Sequence, residues 1–518
     1  MADASTPDEV VITDTAREPV SDPTLGIDVA VDRAGAPAHR LVTIGDSLTH
    51  GFKSGAVFET ELSYPAIVAR ELGVLGTFRY PTYPGFGGLP INIEFLLREL
   101  ELEFGSSISI WELGAAVFRL RQLMARIEDW WERGPGAEPP RLRGLNHNLG
   151  VYGWDLRDVL SRTAASCRRE IDVPTDALFR QLIENANERA ALRVLPTDDG
   201  RDGLTVPAVA EELSRDGDGI ETLVVMLGSN NALGSVVSLR VRWSGDGFDD
   251  LDRKRAFTVW RPSHFERELR LLVERVERIR ARHVIWATVP HVTIAPVARG
   301  VEDKVRPGSR YYPYYTRPWI SDDDFDPDRD PAVTEHEARA VDSAIDQYND
   351  AIVAAVERAR RAGRDWYVFE VAGLLDRLAQ RRYVDDPDAR PPWWEPYELP
   401  PELARLDPPP TSGFLAVDEH GRRTRGGLFS LDGIHPTTIG YGVLAQELIK
   451  VMELAGVRFT MPDDATPREG PVRVDFARLL GRDTLIADPP KSLTTDVRLI
   501  GWFDEQLDVF RRLLRLGS

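Results

Sequence analysis

The chain has 518 residues, 42% of them hydrophobic and 28% charged, with a formal net charge of −19. So acidic a surface repels phosphate backbones and anionic headgroups, which excludes nucleic acid as the expected partner. One cysteine, Cys167, excludes an intramolecular disulfide, and no run approaches the roughly 18 apolar residues of a membrane span.

Residues 1–36 are acidic and without periodicity, and they read as a flexible N-terminal tail. Residues 1–24 place acids where a secretory signal needs a basic stretch followed by an apolar run, so the expected location is cytoplasmic. An α/β domain is predicted over 37–460. Its first strand is Leu41–Ile44, and a helix follows over Tyr64–Leu72. Residues 74–147 break the pattern as a helical insertion, with helices over Ile91–Phe104 and Ile110–Trp131. Further buried strands are predicted at Thr222–Leu227, His283–Ala287 and Trp366–Phe369. Between them, Ser263 with Glu266 and Thr334 with Glu337 each read as a capping box that opens an amphipathic helix.

Residues 381–415 form a long Pro- and aromatic-rich loop. Its Trp393, Trp394 and Tyr397 would either line a pocket or pin the loop. A C-terminal extension, 461–518, ends in an amphipathic helix near 496–515. Continuous apolar strands alternating with amphipathic helices predict a parallel sheet covered on both faces, a three-layer α/β/α sandwich.

Candidate chemistry begins at Gly45-Asp46-Ser47-Leu48, directly after the first strand. In parallel α/β sheets, sites form at the carboxyl ends of strands. A serine there needs a base to take its proton and a third group to orient that base. The chain supplies both late, in Ser430-Leu431-Asp432-Gly433-Ile434-His435-Pro436. The spacing lets Asp432 accept from one ring nitrogen of His435 while the other faces Ser47. Acyl transfer also needs donors for an oxyanion. The candidates are the Ser47 N–H, the Gly153 N–H in Asn148–Gly153, with Gly150 as a nearby competitor, and the Asn230 amide in Gly228-Ser229-Asn230-Asn231.

These four blocks, in this order, resemble the GDSL or SGNH hydrolase superfamily. The resemblance implies a serine nucleophile at Ser47, a base at His435 and an orienting Asp432. It implies an oxyanion hole from Ser47, Gly153 and Asn230, a flavodoxin-like fold, and no metal or organic cofactor. Two departures stand out: Asn231 occupies a position where the family has aspartate, and the 74–147 insertion puts Gly153 far from Ser47. Asp46 is expected to support the turn.

The expected function is therefore a serine ester hydrolase acting on a small-molecule ester, lipid-like esters among the candidates, through an acyl-enzyme. An acyltransferase or a carbohydrate O-deacetylase would use the same residues, and an idle interaction protein would keep only the fold. The insertion is either a lid over the site or packing. Asp324, Asp326, Asp328, Asp330 and Glu335 mimic calcium-loop spacing, but Arg329 sits where that loop needs glycine, so a solvated acidic loop is expected. Cys167 reads as a small buried residue.

Overall fold

Five strands pair in one sheet: β1 (His39–Gly45), β2 (Asn148–Gly150), β3 (Ile220–Met226), β4 (Ala281–Ala287) and β5 (Trp366–Phe369). All the pairings are parallel, and the spatial order is β2-β1-β3-β4-β5. The computed structural model describes residues 5–105, 112–171, 183–461 and 466–491. Helices α1 (Ser47–His50), α2 (Tyr64–Glu71), α3 (Ile93–Phe104), α4 (Leu113–Glu132), α5 (Val206–Leu213), α6 (Pro262–Val276), α7 (Glu335–Arg361), α8 (Val371–Leu378) and α9 (Thr438–Leu454) frame this sheet.

Side chains alternate across a pleated strand, so each strand feeds two cores. Val42, Ile44, Leu223, Val225, Val284 and Trp286 enter one core, which α5, α6, α7 and the insertion helices α3 and α4 cover. Leu41, Val224, Met226, Ile285 and Tyr367 enter the other, beneath α2 and α9. Both faces are dry, which is why these strands read as unbroken apolar runs. The path runs from β1 outward to β2 and returns past β1 to β3. The winding therefore reverses between β1 and β3, the point at which open α/β sheets leave a crevice at their carboxyl edge.

Helix starts follow local chemistry. At α7 the predicted capping box forms: the Glu337 carboxylate accepts the Thr334 N–H at 2.9 Å, and the Thr334 hydroxyl accepts the Glu337 N–H at 3.3 Å. At α6 it does not. Pro262, with its preset φ, occupies the first helical position, so Ser263 falls inside the first turn. Its N–H instead donates to the Glu9 carboxylate at 3.0 Å.

The reading of 1–36 as a flexible tail is corrected over its described residues. They run without regular structure along α7 and the outer edge of β5, tied down by specific bonds. The Val368 N–H donates to the Pro23 carbonyl at 3.0 Å, and Val10 is buried. Arg17 makes a two-pronged pair with Glu370 at 3.0 and 3.2 Å. The strap covers an edge strand that would otherwise expose unpaired backbone. Its acidic composition hid this role, because its partners lie from 182 to 353 residues away. In the C-terminal extension, Val472, Val474 and Phe476 pack into the α2/α9 core, and the helix predicted near 496–515 lies outside the described residues. Among the described residues no helix is long and apolar enough to cross a membrane.

Glu370 also accepts the Val20 N–H, the Thr288 hydroxyl and the Gly373 N–H that opens α8. Replacing it leaves the half-buried Arg17 guanidinium with only Asp350, at 3.8 Å, as an ion-pair partner among the described residues, and uncaps a helix. Glu370→Ala should lower unfolding free energy by about 3 kcal/mol in urea titrations at neutral pH. A loss below about 0.5 kcal/mol would mean the strap adds nothing to the fold.

Candidate active site

Asp46 caps α1 by accepting the Leu48 N–H at 3.1 Å, which sets Ser47 at the first helical position just beyond the carboxyl end of β1. His435 arrives from a closed turn in which the Ser430 N–H donates to the His435 carbonyl at 2.7 Å, immediately before α9. His435 Nε2 lies 2.8 Å from Ser47 Oγ, and its Nδ1 lies 3.0 Å from Asp432 Oδ2. An ionised carboxylate only accepts, so Nδ1 carries the proton and Nε2 is free to accept from the serine hydroxyl. Ser47, Asp432 and His435, nearly 400 residues apart in sequence, are all buried.

Asp432 is fully buried yet well satisfied. Its Oδ1 accepts from the His435 N–H, the Ile434 N–H and the Ser430 hydroxyl, and its Oδ2 accepts from the Gly55 N–H at 3.0 Å. Burial alone would raise its carboxyl. The His435 ring beside it and these hydrogen bonds outweigh that and hold it below the usual range. Gly55 belongs to a hairpin between Phe52–Lys53 and Ala56–Val57. Both of its turn residues, Ser54 and Gly55, have positive φ, as a two-residue hairpin demands. A side chain at Gly55 would meet the Ile91 carbonyl at 2.5 Å. Sequence reasoning missed Ser54, Gly55 and Ser430 as supports, although the Ser-Gly pair is a turn signal in its own right.

The oxyanion candidates Gly153 and Asn230 stand just beyond the carboxyl ends of the two strands that flank β1, where Gly45 registers against both Gly150 and Met226. Gly150 is spent structurally, since its N–H donates to Asn148 Oδ1 at 3.0 Å and any Cβ would collide with the α1 backbone at 2.5 Å. Gly153 has φ +72°, and among the described residues its N–H meets no acceptor. Asn230 Nδ2 donates to the Trp154 carbonyl at 2.8 Å, which leaves its second hydrogen. Asn231, in the departing position, is buried, and its Oδ1 accepts the Leu156 N–H at 3.5 Å.

His50, also missed, fixes this loop. Its Nδ1 accepts the Tyr152 N–H at 3.1 Å, and its Nε2 bonds Tyr83, whose hydroxyl donates to the Ala190 carbonyl. Burial drives its ring down to about 3, so it stays neutral. It lies three residues after Ser47, the only hint the sequence held.

Two cavities meet this constellation. Ser47 and His435 open into an apolar one of about 950 Å³, including its mouth, walled by Leu233, Val292, Leu374, Leu378, Val443 and Leu444. Gly153 and Asn230 line a neighbouring polar one of about 440 Å³, where Lys254 bridges Asp155 and Asp158 at 2.6 and 2.7 Å. Among the described residues, the 74–147 insertion contributes nothing to the apolar wall, so the lid reading gains no support and packing accounts for the insertion. Trp394 and Tyr397 pin their loop, through the Asp376 carbonyl at 2.9 Å and the Glu447 carboxylate at 2.8 Å. The acids of 324–330 serve local turns, with Asp326 on the Asp328 N–H and Arg329. Cys167 is buried, as a small core residue would be.

Asp46 contrasts with Asp432. Its Oδ2 is buried without a partner, and burial raises its carboxyl from 3.8 to about 6. The folded state thus holds that proton more tightly than the unfolded chain does. The penalty for the ionised form is absent below about pH 4 and grows as pH rises through about 6. Asp46→Asn keeps an oxygen for the Leu48 N–H and removes the charge. It should match wild type near pH 4 and exceed it by about 3 kcal/mol at pH 7. Urea unfolding across that range checks it; a pH-independent difference would count against a buried, penalised carboxylate. Compared with protein-family models, with curated proteins and with solved structures, the chain matches none.

Proposed function

We propose that this protein is a serine hydrolase that cleaves carboxylic esters of apolar acids, on the pattern of the SGNH enzymes its motifs resemble. The observation that carries the reading is the unbroken line from Asp432 through His435 to Ser47, at 3.0 and 2.8 Å. Ser47 Oγ attacks the ester carbonyl as His435 Nε2 takes its proton. Asp432 stabilises the imidazolium and keeps its tautomer. The N–H groups of Ser47 and Gly153 and the free amide hydrogen of Asn230 hold the tetrahedral oxyanion. His435 then protonates the leaving alcohol, and the same base activates water to release the acid.

The apolar cavity supports an aliphatic acyl chain over an acetylated sugar, since its walls offer leucines and valines and few groups to bind hydroxyls. Each buried methylene is worth about 0.8 kcal/mol, so kcat/KM on p-nitrophenyl esters should climb roughly fourfold per added carbon until the cavity fills. Ser47→Ala should lose roughly 10⁴-fold or more of that activity and all labelling by a fluorophosphonate. Turnover near wild type in Ser47→Ala would sink the proposal.

Asn230→Ala tests the oxyanion role separately. It should lower kcat about 10²- to 10³-fold with KM little changed. A change confined to KM would assign Asn230 to ground-state binding or to the Trp154 loop instead.

A further inference from the structure

Behind the segment from Thr293 to Gly300 lies another cavity, with a wall of opposite character. It encloses about 1220 Å³, including its mouth. Five arginines line it (Arg299, Arg310, Arg381, Arg382 and Arg425) against one carboxylate, Asp385. In a chain of net charge −19, that concentration runs against the rest of the molecule.

Structural pairing accounts for only part of it. Arg382 is held by Asp342 at 2.8 Å, and Arg299 Nη1 by Asp322 at 2.6 Å. The other three have no carboxylate within ion-pair distance among the described residues. Arg381 and Arg425 reach the carbonyls of Gly300 and Phe414 at 2.6 and 3.3 Å. Arg310 is the telling case. It is 7% exposed, its Nη1 has no hydrogen-bond acceptor, and its Nη2 meets only the Thr15 carbonyl, at 3.5 Å. It also shares the Tyr311 ring with two other cations, lying 5.3 Å from the centroid against 5.2 Å for Arg339 and 5.6 Å for Arg382. Asp342 acts on the buried Arg310 guanidinium only from beyond ion-pair distance, and a buried charge without a contacting partner is expensive to keep. Arg299 adds Nε and Nη2, both buried and without acceptors. Arg381 and Arg382 stand on a π-helical turn, Gln380–Val384, a distortion that recurs at functional sites.

We propose that this cavity binds a small soluble phosphomonoester, independently of the esterase reading. Several forked donors around one concavity suit a dianion with multiple acceptor oxygens better than a single carboxylate. The organic part lies against Tyr312, over which Arg381 stacks at 4.6 Å, and against Phe414. A lipid headgroup in a bilayer is the weaker source, because the arginines line a recess and the acidic exterior repels an anionic membrane.

Calorimetric and thermal titrations test it, with inorganic phosphate and glycerol 3-phosphate as probes and sodium chloride at matched ionic strength as control. Both probes should bind saturably and raise Tm, and chloride should do neither. Arg310→Met keeps the stem and removes the stranded charge, so its Tm without ligand should rise while the phosphate-dependent rise disappears. Arg425→Ala changes an exposed residue, leaves the fold intact, and should weaken glycerol 3-phosphate binding at least tenfold. Three results would each overturn the proposal: wild-type-like binding in Arg425→Ala, an equal shift with chloride, or binding only to vesicles containing phosphatidic acid. Should Arg310→Met fail to fold, Arg425→Ala alone decides.

Discussion

A single buried carboxylate organises the candidate site of this molecule. Asp432 lies in a dry interior, where an ionised group survives only if its lone pairs are met. Its donors come from its own turn, from His435 and from the hairpin tip at Gly55. Satisfying that charge therefore joins two segments more than 370 residues apart and fixes the tautomer of the histidine between them. The sheet sets the remaining distance: β1 delivers Ser47 at its carboxyl end, and β2 and β3 on either side deliver Gly153 and Asn230. The chemistry is local, but the constraint on it is topological.

Asp46 shows what happens to a carboxylate at the same edge without that support. One of its oxygens caps α1 and the other has no partner, so burial pushes its proton affinity up while that of Asp432 goes down. Two acids near one histidine are thus separated by environment alone. Asp432 is suited to remain charged against an imidazolium. Asp46 contributes the turn that presents Ser47.

Much of this was legible in the sequence, and the reasons are specific. Four of the five strands are dry on both faces and so appear as apolar runs, and α7 declares itself through Thr334 and Glu337. The Ser47, Asp432 and His435 blocks are short and polar, with turn residues beside them, which is how a reactive loop must be built. What stayed hidden depended on long-range partners. β2 has one apolar residue in three and exists because β1 offers a free edge. The strap looks like a tail because its Arg17 answers Glu370 and its carbonyls answer Arg310 and Arg360, whose environments no local pattern encodes. The choice of Gly153 over Gly150 rested on whose N–H is already spent, a fact of packing.

The apolar cavity at Ser47 and the arginine-lined one must be kept apart, since a guanidinium in the first would strand a charge and a hydrocarbon in the second would strand donors. The segment after β4 does this with its own alternation. His291, Val292 and Ala295 face the apolar side, while Pro296, Ala298 and Arg299 face the other. Beneath it, Arg382 is locked by Asp342, Thr293 and His291, which makes the partition a satisfied polar layer. The partition is also tied to the machinery, because the Val297 N–H donates to the Gly433 carbonyl at 2.9 Å and Phe414 packs against that same glycine. Gly433 lies between Asp432 and His435. The wall of the arginine cavity thus shares a hydrogen bond with the turn that holds Asp432 and His435.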